Sequence, residues 1–206
     1  MIQEWVQLAL EYGRVRRLYI AAVTVAALLI AAPLWADGRL PVFASTGGAT
    51  IRGAILAVLV VSLVLGRSLE WSLGDVERVR PARLRSLRIA HATVAAIAVM
   101  AFQPVLANYM GRQWGTLAAA NGLGLLGLYA LAVALRWPLM PWLIPTTLVL
   151  VMWMFGTDEP ANVARWWAWM LQGEDARVGS IIGVALASAG LVLWVQRGPD
   201  PDGDGQ

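Results

Sequence analysis

No cysteine, no lysine and only one histidine occur among the 206 residues. Without cysteine there is no disulfide, no thiolate metal site and no cysteine nucleophile. Without lysine, the phosphate-cradling loop that reaches its ligand through a lysine ammonium cannot be built, so the chain cannot bind ATP by that route. A single histidine, His91, cannot supply the facing axial pair of a bis-histidine haem. Charge is scarce as well. Only 14% of residues are charged and 59% are hydrophobic, against ~25% charged in an ordinary soluble domain. That balance points to a lipid-embedded chain with no room for a sizeable soluble domain.

What is present falls into long apolar runs. A helix crossing a bilayer needs roughly 20 mostly apolar residues, and six runs approach that length: 18–35, 49–66, 89–108, 116–135, 139–156 and 179–196. Continuous apolarity favours helices over barrel strands, which would alternate. The expectation is therefore an all-α, polytopic membrane protein with six transmembrane helices. Residues 1–197 would form one membrane domain, and 198–206, alternating Gly, Pro and Asp, a disordered cytoplasmic tail. The fifth run is short and carries Pro141 and Pro145 near its start. The stretch ahead of the first run holds Glu4 and Glu11, unlike a short basic leader, so that run is expected to be retained.

Arginine distribution sets the expected orientation. Arg14, Arg16, Arg17, Arg67, Arg78, Arg80, Arg83, Arg85, Arg88, Arg136 and Arg197 fall on one side of a six-span layout. Arg39, Arg52, Arg112, Arg165 and Arg177 fall on the other. The positive-inside rule then puts both termini in the cytoplasm. Arginine-, alanine-, valine- and leucine-rich usage without lysine suggests a GC-rich bacterial genome, and hence the bacterial inner membrane.

Three segments outside the runs have their own character. Ile2, Trp5, Val6, Ala9 and Tyr12 recur at helical spacing opposite Gln3, Glu4, Gln7, Glu11 and Arg14, which predicts an amphipathic interfacial helix before the first span. Trp166, Trp167 and Trp169 predict a short helix at the outer interface over residues 164–171. Between the second and third runs, Leu69, Leu73 and Val76 share one helical face while Glu70 and Glu77 share another. Pro81 would then begin a second helix.

Chemistry within the runs is sparse. Every Asp and Glu lies outside them or at a loop, so a carboxylate relay at the midplane is not expected. Ser62, Ser180 and Ser188 have only His91 as a conceivable base. His91 reads as an interfacial histidine near headgroups or a neighbouring loop. Gln103, Asn108, Asn121, Thr146 and Thr147 could line a substrate path, or equally make interhelical hydrogen bonds worth about 0.6–2 kcal/mol each. Gly179 and Gly183 in the sixth run, with Gly124 and Gly127 in the fourth, form small-residue faces for close helix packing.

The short amphipathic helix expected at 69–79, with an acidic residue, a hydrophobic stretch and then a proline followed by arginines, resembles the coupling helix of an ABC-2-type (type V exporter-like) ABC transporter permease. The N-terminal interfacial helix, the coupling segment between spans two and three and the outer helix between spans five and six resemble that family's layout. The resemblance implies a dimer of permease subunits, identical or related, and a separate cytoplasmic ABC ATPase carrying ATP and Mg. It implies ATPase docking by Leu69, Glu70, Trp71, Leu73, Val76 and Val79, and export of an amphiphilic, lipid or peptide-like substrate. On this reading the chain is no enzyme, holds no cofactor or metal and has no nucleic-acid partner. Two other readings remain open: a non-transporting scaffold or accessory subunit, and an enzyme acting on lipid headgroups through arginine and His91.

Overall fold

Which apolar run sits at the centre is decided by its small residues. In a computed structural model, described for residues 2–35, 39–41, 50–52, 54–70, 81–110, 112–137, 140–158, 163–172 and 176–199, the run rich in Gly and Ala becomes the innermost helix. The described elements are α1 (Ile2–Val15), α2 (Leu18–Trp35), β1 (Arg39–Pro41), β2 (Thr50–Arg52), α3 (Ala54–Glu70), α4 (Pro81–Met100), α5 (Phe102–Met110), α6 (Arg112–Ala134), α7 (Leu143–Phe155), β3 (Thr157–Asp158), β4 (Val163–Ala164), a 3-10 turn (Trp169–Leu171) and α8 (Ala176–Arg197). α6 packs most extensively on α8, then on α3 and α5. Its Leu125, Leu126 and Ala130 are fully buried.

The expectation of six spans is corrected. Among the described residues, three helical stretches are long and apolar enough to cross a membrane: Leu84–Asn108, Gly115–Ala134 and Arg177–Arg197. Leu18–Ala31 and Leu143–Phe155 are shorter apolar helices, and α3 has 17 residues. At 1.5 Å per residue, the 13 residues of α7 reach about 20 Å, short of a ~30 Å hydrocarbon core. Proline explains α7, because its helix starts only at Leu143, beyond Pro141. The run that was to begin at residue 49 opens instead as a strand. Arg39↔Arg52, Leu40↔Ile51 and Pro41↔Thr50 pair antiparallel, and α3 begins at Ala54. β-branched Thr50 and Ile51 suit that ribbon. The helical architecture itself stands, and its several apolar helices are consistent with a multi-pass membrane protein.

The tryptophan-rich outer helix is also corrected. Thr157↔Ala164 and Asp158↔Val163 form a two-stranded ladder, and only Trp169–Leu171 turns helically. A segment this short has no way to offset helix nucleation, and its first residues are taken by the strand. Arg165 Nε donates to Asp158 Oδ1 at 2.7 Å, closing the loop. Trp169 lies buried under α6 and α8, while Trp166 is 85% exposed.

α1 is amphipathic as expected; of the expected interface-facing residues Val6 and Ala9 are exposed, while Tyr12 is buried against the bundle. Leu8 and Tyr12 pack on Leu84 of α4, whereas Val6 and Leu10 remain exposed. Helical registry thus separates a protein-facing stripe (Leu8, Tyr12, Arg16) from an apolar stripe (Val6, Ala9, Leu10) and a polar one.

The seam between α6 and α8 is made of glycine. A Cβ on Gly124 would lie 3.0 Å from Cα of Gly183, and one on Gly183 would lie 2.8 Å from the carbonyl carbon of Ala120. Gly127 faces Leu186 and Ala187, Gly190 faces the backbone of Gly127, and Gly179 faces the Trp169 carbonyl at 2.8 Å. Gly124, Gly127, Gly179 and Gly183 therefore all lie at close backbone approaches, with Gly190 completing the row. Ser62 crosses from α3, its Oγ within 3.0 Å of the Gly122 carbonyl.

Three helix ends among the described residues carry a left-handed residue, the first being Arg17 (φ 50°) just past α1. Arg136 (φ 52°) ends α6 in a Schellman motif, with Arg136 N–H on Val133 and Trp137 N–H on Ala132. Gly198 (φ 70°) ends α8, its N–H donating to the Trp194 carbonyl at 2.7 Å. Gly198 and Pro199 are buried, Gly198 beneath the Arg88 guanidinium, so the fold extends past residue 197. Residues 200–206 lie outside the described residues.

Candidate functional site

The C-terminal end of α3 is where the chain gathers its buried polar groups. α3 ends at Glu70, leaving its last carbonyls without partners inside the helix. Two side chains from distant elements take one of them. Arg16, in the turn between α1 and α2, donates from Nη1 to the carbonyls of Leu69 (3.0 Å) and Ser68 (3.3 Å). Trp194 of α8 donates its indole N–H to the same Leu69 carbonyl at 3.1 Å. The Arg16 guanidinium lies 4.8 Å from the Tyr12 ring centroid and 5.1 Å from that of Trp194. Arg16 and Trp194 are both 0% exposed. A cation at a helix C-terminus meets the negative end of the helix dipole, and the aromatic faces add attraction in a desolvated setting.

His91 is the second fastening. Ser68 Oγ donates to the Leu65 carbonyl within its own helix, so toward His91 Nε2, 2.9 Å away, it acts as acceptor. The ring proton therefore sits on Nε2, and Nδ1 accepts from the Tyr12 hydroxyl at 3.1 Å. Both ring nitrogens are satisfied in the neutral form. The expected interfacial histidine is instead 6% exposed, stacked edge-on between Tyr12 and Trp194 at centroid distances of 5.8 and 5.5 Å. On the other side of the same helix end, Glu70 accepts from the Tyr129 hydroxyl and pairs with Arg67. Gly66 makes room for the Tyr129 ring. Residues from α1, α2's entrance, α4, α6 and α8 thus converge on the last two turns of α3.

No family model, curated protein or solved structure matches this chain. The site is therefore read from its own geometry.

The expected docking residues divide at this point. Leu69 is fully buried and Glu70 is engaged by Tyr129 and Arg67, so both act as the root of the following segment. Leu69 offers no side-chain surface to a docking partner. Trp71, Leu73, Val76 and Val79 lie outside the described residues. The five polar pathway candidates are not brought together. Gln103 donates to Thr116 at 3.3 Å, Asn121 donates from Nδ2 to the Met170 carbonyl at 3.1 Å, and Thr146 returns its hydroxyl to the Trp142 carbonyl at 2.7 Å. Asn108 and Thr147 are exposed. Asn121 is buried, and its Oδ1 meets no donor among the described residues.

Three of the surface grooves are lined by described residues, and none of these three includes those five. One of about 550 Å³ runs between α2 and α4 beside Ser68 and His91. One of about 540 Å³ runs between α4 and α8. The third, about 400 Å³, lies between α2 and α3 beneath Arg16, Arg17 and Arg67. Among the described residues there is no group of three or more His, Asp or Glu side chains that could hold a metal.

Sequence reasoning missed Arg16, Ser68, Tyr129 and Trp194. One signal was available: Arg16 lies four residues after Tyr12, and helical registry puts both on the stripe that Leu8 begins.

Proposed function

We propose that this chain is a membrane-embedded permease subunit of an ATP-driven transporter of the ABC-2 type, drawing its energy from a separate ATPase that carries ATP and Mg. The observation that carries the reading is the fastening of the α3 end. Residues 71–80 leave the helix directly after Leu69 and Glu70, and that root is tied to α1, α4, α6 and α8 by Arg16, His91, Tyr129 and Trp194. A force arriving at Glu70 would reach the packed helices through these hydrogen bonds. Such a root suits a segment that receives mechanical work from a partner. Trp71, Leu73, Val76 and Val79 are the docking contacts of this proposal, with Leu69 and Glu70 beneath them.

Orientation follows from the same end of the bundle. Arg16, Arg67, Arg88 and Arg197 gather there, and the positive-inside rule assigns it to the cytoplasm with both termini, in a bacterial inner membrane. The exposed faces of Leu84–Asn108 (α4 and α5) and of α8 supply a surface for a second permease copy: only 33% and 28% of their apolar parts are buried, against 83% for α6. The cargo is an exported amphiphile, lipid or peptide. The chain performs no chemistry of its own, and nucleic acid has no part in the proposal.

The same exposed faces favour one competing reading, a scaffold held by other membrane proteins. Mild detergent purification of the tagged chain from its host, with mass spectrometry of stoichiometric partners, separates the two. An ABC ATPase at one copy per chain, lost on Trp71→Ala with Leu73→Ala while the fold is retained, is the expected result. Stoichiometric membrane proteins without any ATPase would remove the transporter reading.

A further inference from the structure

The end of the bundle away from Arg16 and Arg67 is uneven, and heights along α6 can be read from its neighbours. A Cβ on Gly122 would lie 2.6 Å from Val99 of α4, and one on Gly183 of α8 would lie 2.8 Å from the carbonyl carbon of Ala120. Between these two positions, Asn121 donates to the Met170 carbonyl. Met100, Val184 and the Trp169–Leu171 turn therefore stand at one height. Asn121 is six residues inside Gly115, the far end of the α6 spanning stretch, which at 1.5 Å per residue is about 9 Å. On the flank of α4 and α8, apolar helix continues past this height to Asn108 and Arg177. On the α7 flank it stops. α7 ends at Phe155, and a Cβ on the next residue, Gly156, would lie 2.6 Å from Leu171 and 2.9 Å from Ala168. Beyond it come the β3–β4 ladder and the Arg165–Asp158 ion pair, whose side chains are 44% and 62% exposed. Arg165 N–H donates to the Gly156 carbonyl at 2.8 Å, which holds the pair at the end of α7. Irregular backbone facing lipid does not occur inside the hydrocarbon region, and charge exposed to hydrocarbon is costly.

We propose that the bilayer is drawn in on the α7 flank, so that lipid headgroups of the far leaflet meet the β3–β4 ladder about 9 Å below their level beside α4 and α8. α7 offers about 20 Å of apolar helix to a ~30 Å core, and local thinning is one way a bilayer meets a short apolar surface. Leu150, Val151 and Phe155 are exposed along it, a face for acyl chains that ends where the charged pair begins. At its other end Trp142 lines the same groove as Arg17 and Arg67, level with the start of α2 and the end of α3. The shortfall therefore falls at the far end alone. A flank thinned in this way shortens the distance that a polar headgroup travels between leaflets. Nothing in this depends on an ATPase partner; it needs only that the bundle spans a bilayer.

The test uses the full chain, which has no cysteine of its own, in phosphatidylcholine vesicles with a nitroxide on one introduced cysteine. Phe155→Cys, Met100→Cys and Val184→Cys put the label at one height on three helices, each at an exposed side chain. Accessibility to oxygen against a water-soluble nickel chelate reads the depth. The Phe155 label is expected at the headgroup level, about 9 Å shallower than those at Met100 and Val184. Val151→Cys, one turn down α7, should read about 6 Å deeper than Phe155. Val163→Cys, 61% exposed on β4, gives a second reading at the headgroup level should Phe155→Cys not fold. A phosphatidylcholine with a quencher on its headgroup should quench a fluorophore at Phe155 ahead of one at Met100. A Phe155 label lying in hydrocarbon, or shielded from both agents by protein, would overturn the thinning, as would Met100 and Val184 reading as shallow as Phe155. Access by the nickel chelate without quenching by the headgroup would mean a water-filled recess in the protein and would overturn the lipid contact.

Discussion

Gly127→Ala is expected to destabilise the bundle by about 2 kcal/mol, although alanine is the better helix former by about 0.5–1 kcal/mol. The added methyl would lie 2.5 Å from Cα of Ala187 and would also collide with the Leu186 carbonyl oxygen. Both obstacles are backbone, so no side chain can rotate away and α6 and α8 must separate. Overpacking of this kind typically costs 1–3 kcal/mol. It falls at the upper end here, because separating the seam also loosens the neighbouring approaches at Gly124, Gly183 and Gly190. Subtracting the helix-propensity gain leaves about 2 kcal/mol, roughly thirtyfold in the folded-to-unfolded ratio. Gly13→Ala is the internal control: its methyl would meet only Leu18 Cδ1 at 3.9 Å, so it should gain about 0.5–1 kcal/mol from propensity alone. The assay is denaturant unfolding of the full chain in mixed micelles, followed by tryptophan fluorescence. If Gly127→Ala unfolds at the same denaturant fraction as Gly13→Ala, the α6–α8 seam is not the close backbone contact described above.

Other perturbations follow from the polar end of the bundle. Ser68→Ala leaves the buried Nε2–H of His91 without its acceptor and should cost about 1–3 kcal/mol, read by the same unfolding assay; an unchanged midpoint would contradict the hydrogen bond. Trp194→Phe loses the donor to Leu69, whose carbonyl still accepts from Arg16, and leaves a void at a fully buried site, so a loss of about 1.5–3 kcal/mol is expected. Arg136→Gly relieves a left-handed arginine and should stabilise by about 1 kcal/mol, visible as a raised melting temperature in detergent.

How much of this was readable from the residues varies by element. The expected runs 116–135 and 179–196 lie within four residues of the ends of α6 and α8, because uninterrupted apolarity of that length reads as a spanning helix. Gly124, Gly127, Gly179 and Gly183 lie at close backbone approaches, and small residues at helical spacing are the sequence signal for such contacts. The six-span count failed where hydropathy averages over local chemistry. Thr50 and Ile51 are as apolar in a window as helix formers, yet they entered a strand, and Pro141 moved the start of α7 to Leu143. The clamp was hidden for another reason. Arg16 stood among arginines that report topology, and only its registry with Leu8 and Tyr12 set it apart from them. Its acceptors, the carbonyls of Ser68 and Leu69, are backbone groups fifty residues away. Backbone acceptors carry no residue signature, so no pattern in the side chains could name them. The tryptophans misled in the opposite direction: an aromatic cluster suggested an interface helix, whereas Trp169 was needed as a plug beneath Gly124 and Gly179.

The unequal burial of the long helices has a consequence for the order of assembly. α6 and the stretch Leu84–Asn108, which runs through α4 and α5, have the same mean hydropathy, 1.8, yet 83% of the apolar part of α6 is buried against 33% of that stretch. The partner that buries α6 most is α8, which the ribosome makes after α7 and the hairpin beyond it. At 5–20 residues per second, α6 spends seconds with its glycine row open before the matching face exists. During that interval its neighbours are lipids or whatever insertion machinery shelters it. Closure of the bundle is thus a late event in synthesis, and a defect at Gly183 or Gly190 would strand a helix already in the membrane, exposing it to quality-control proteolysis.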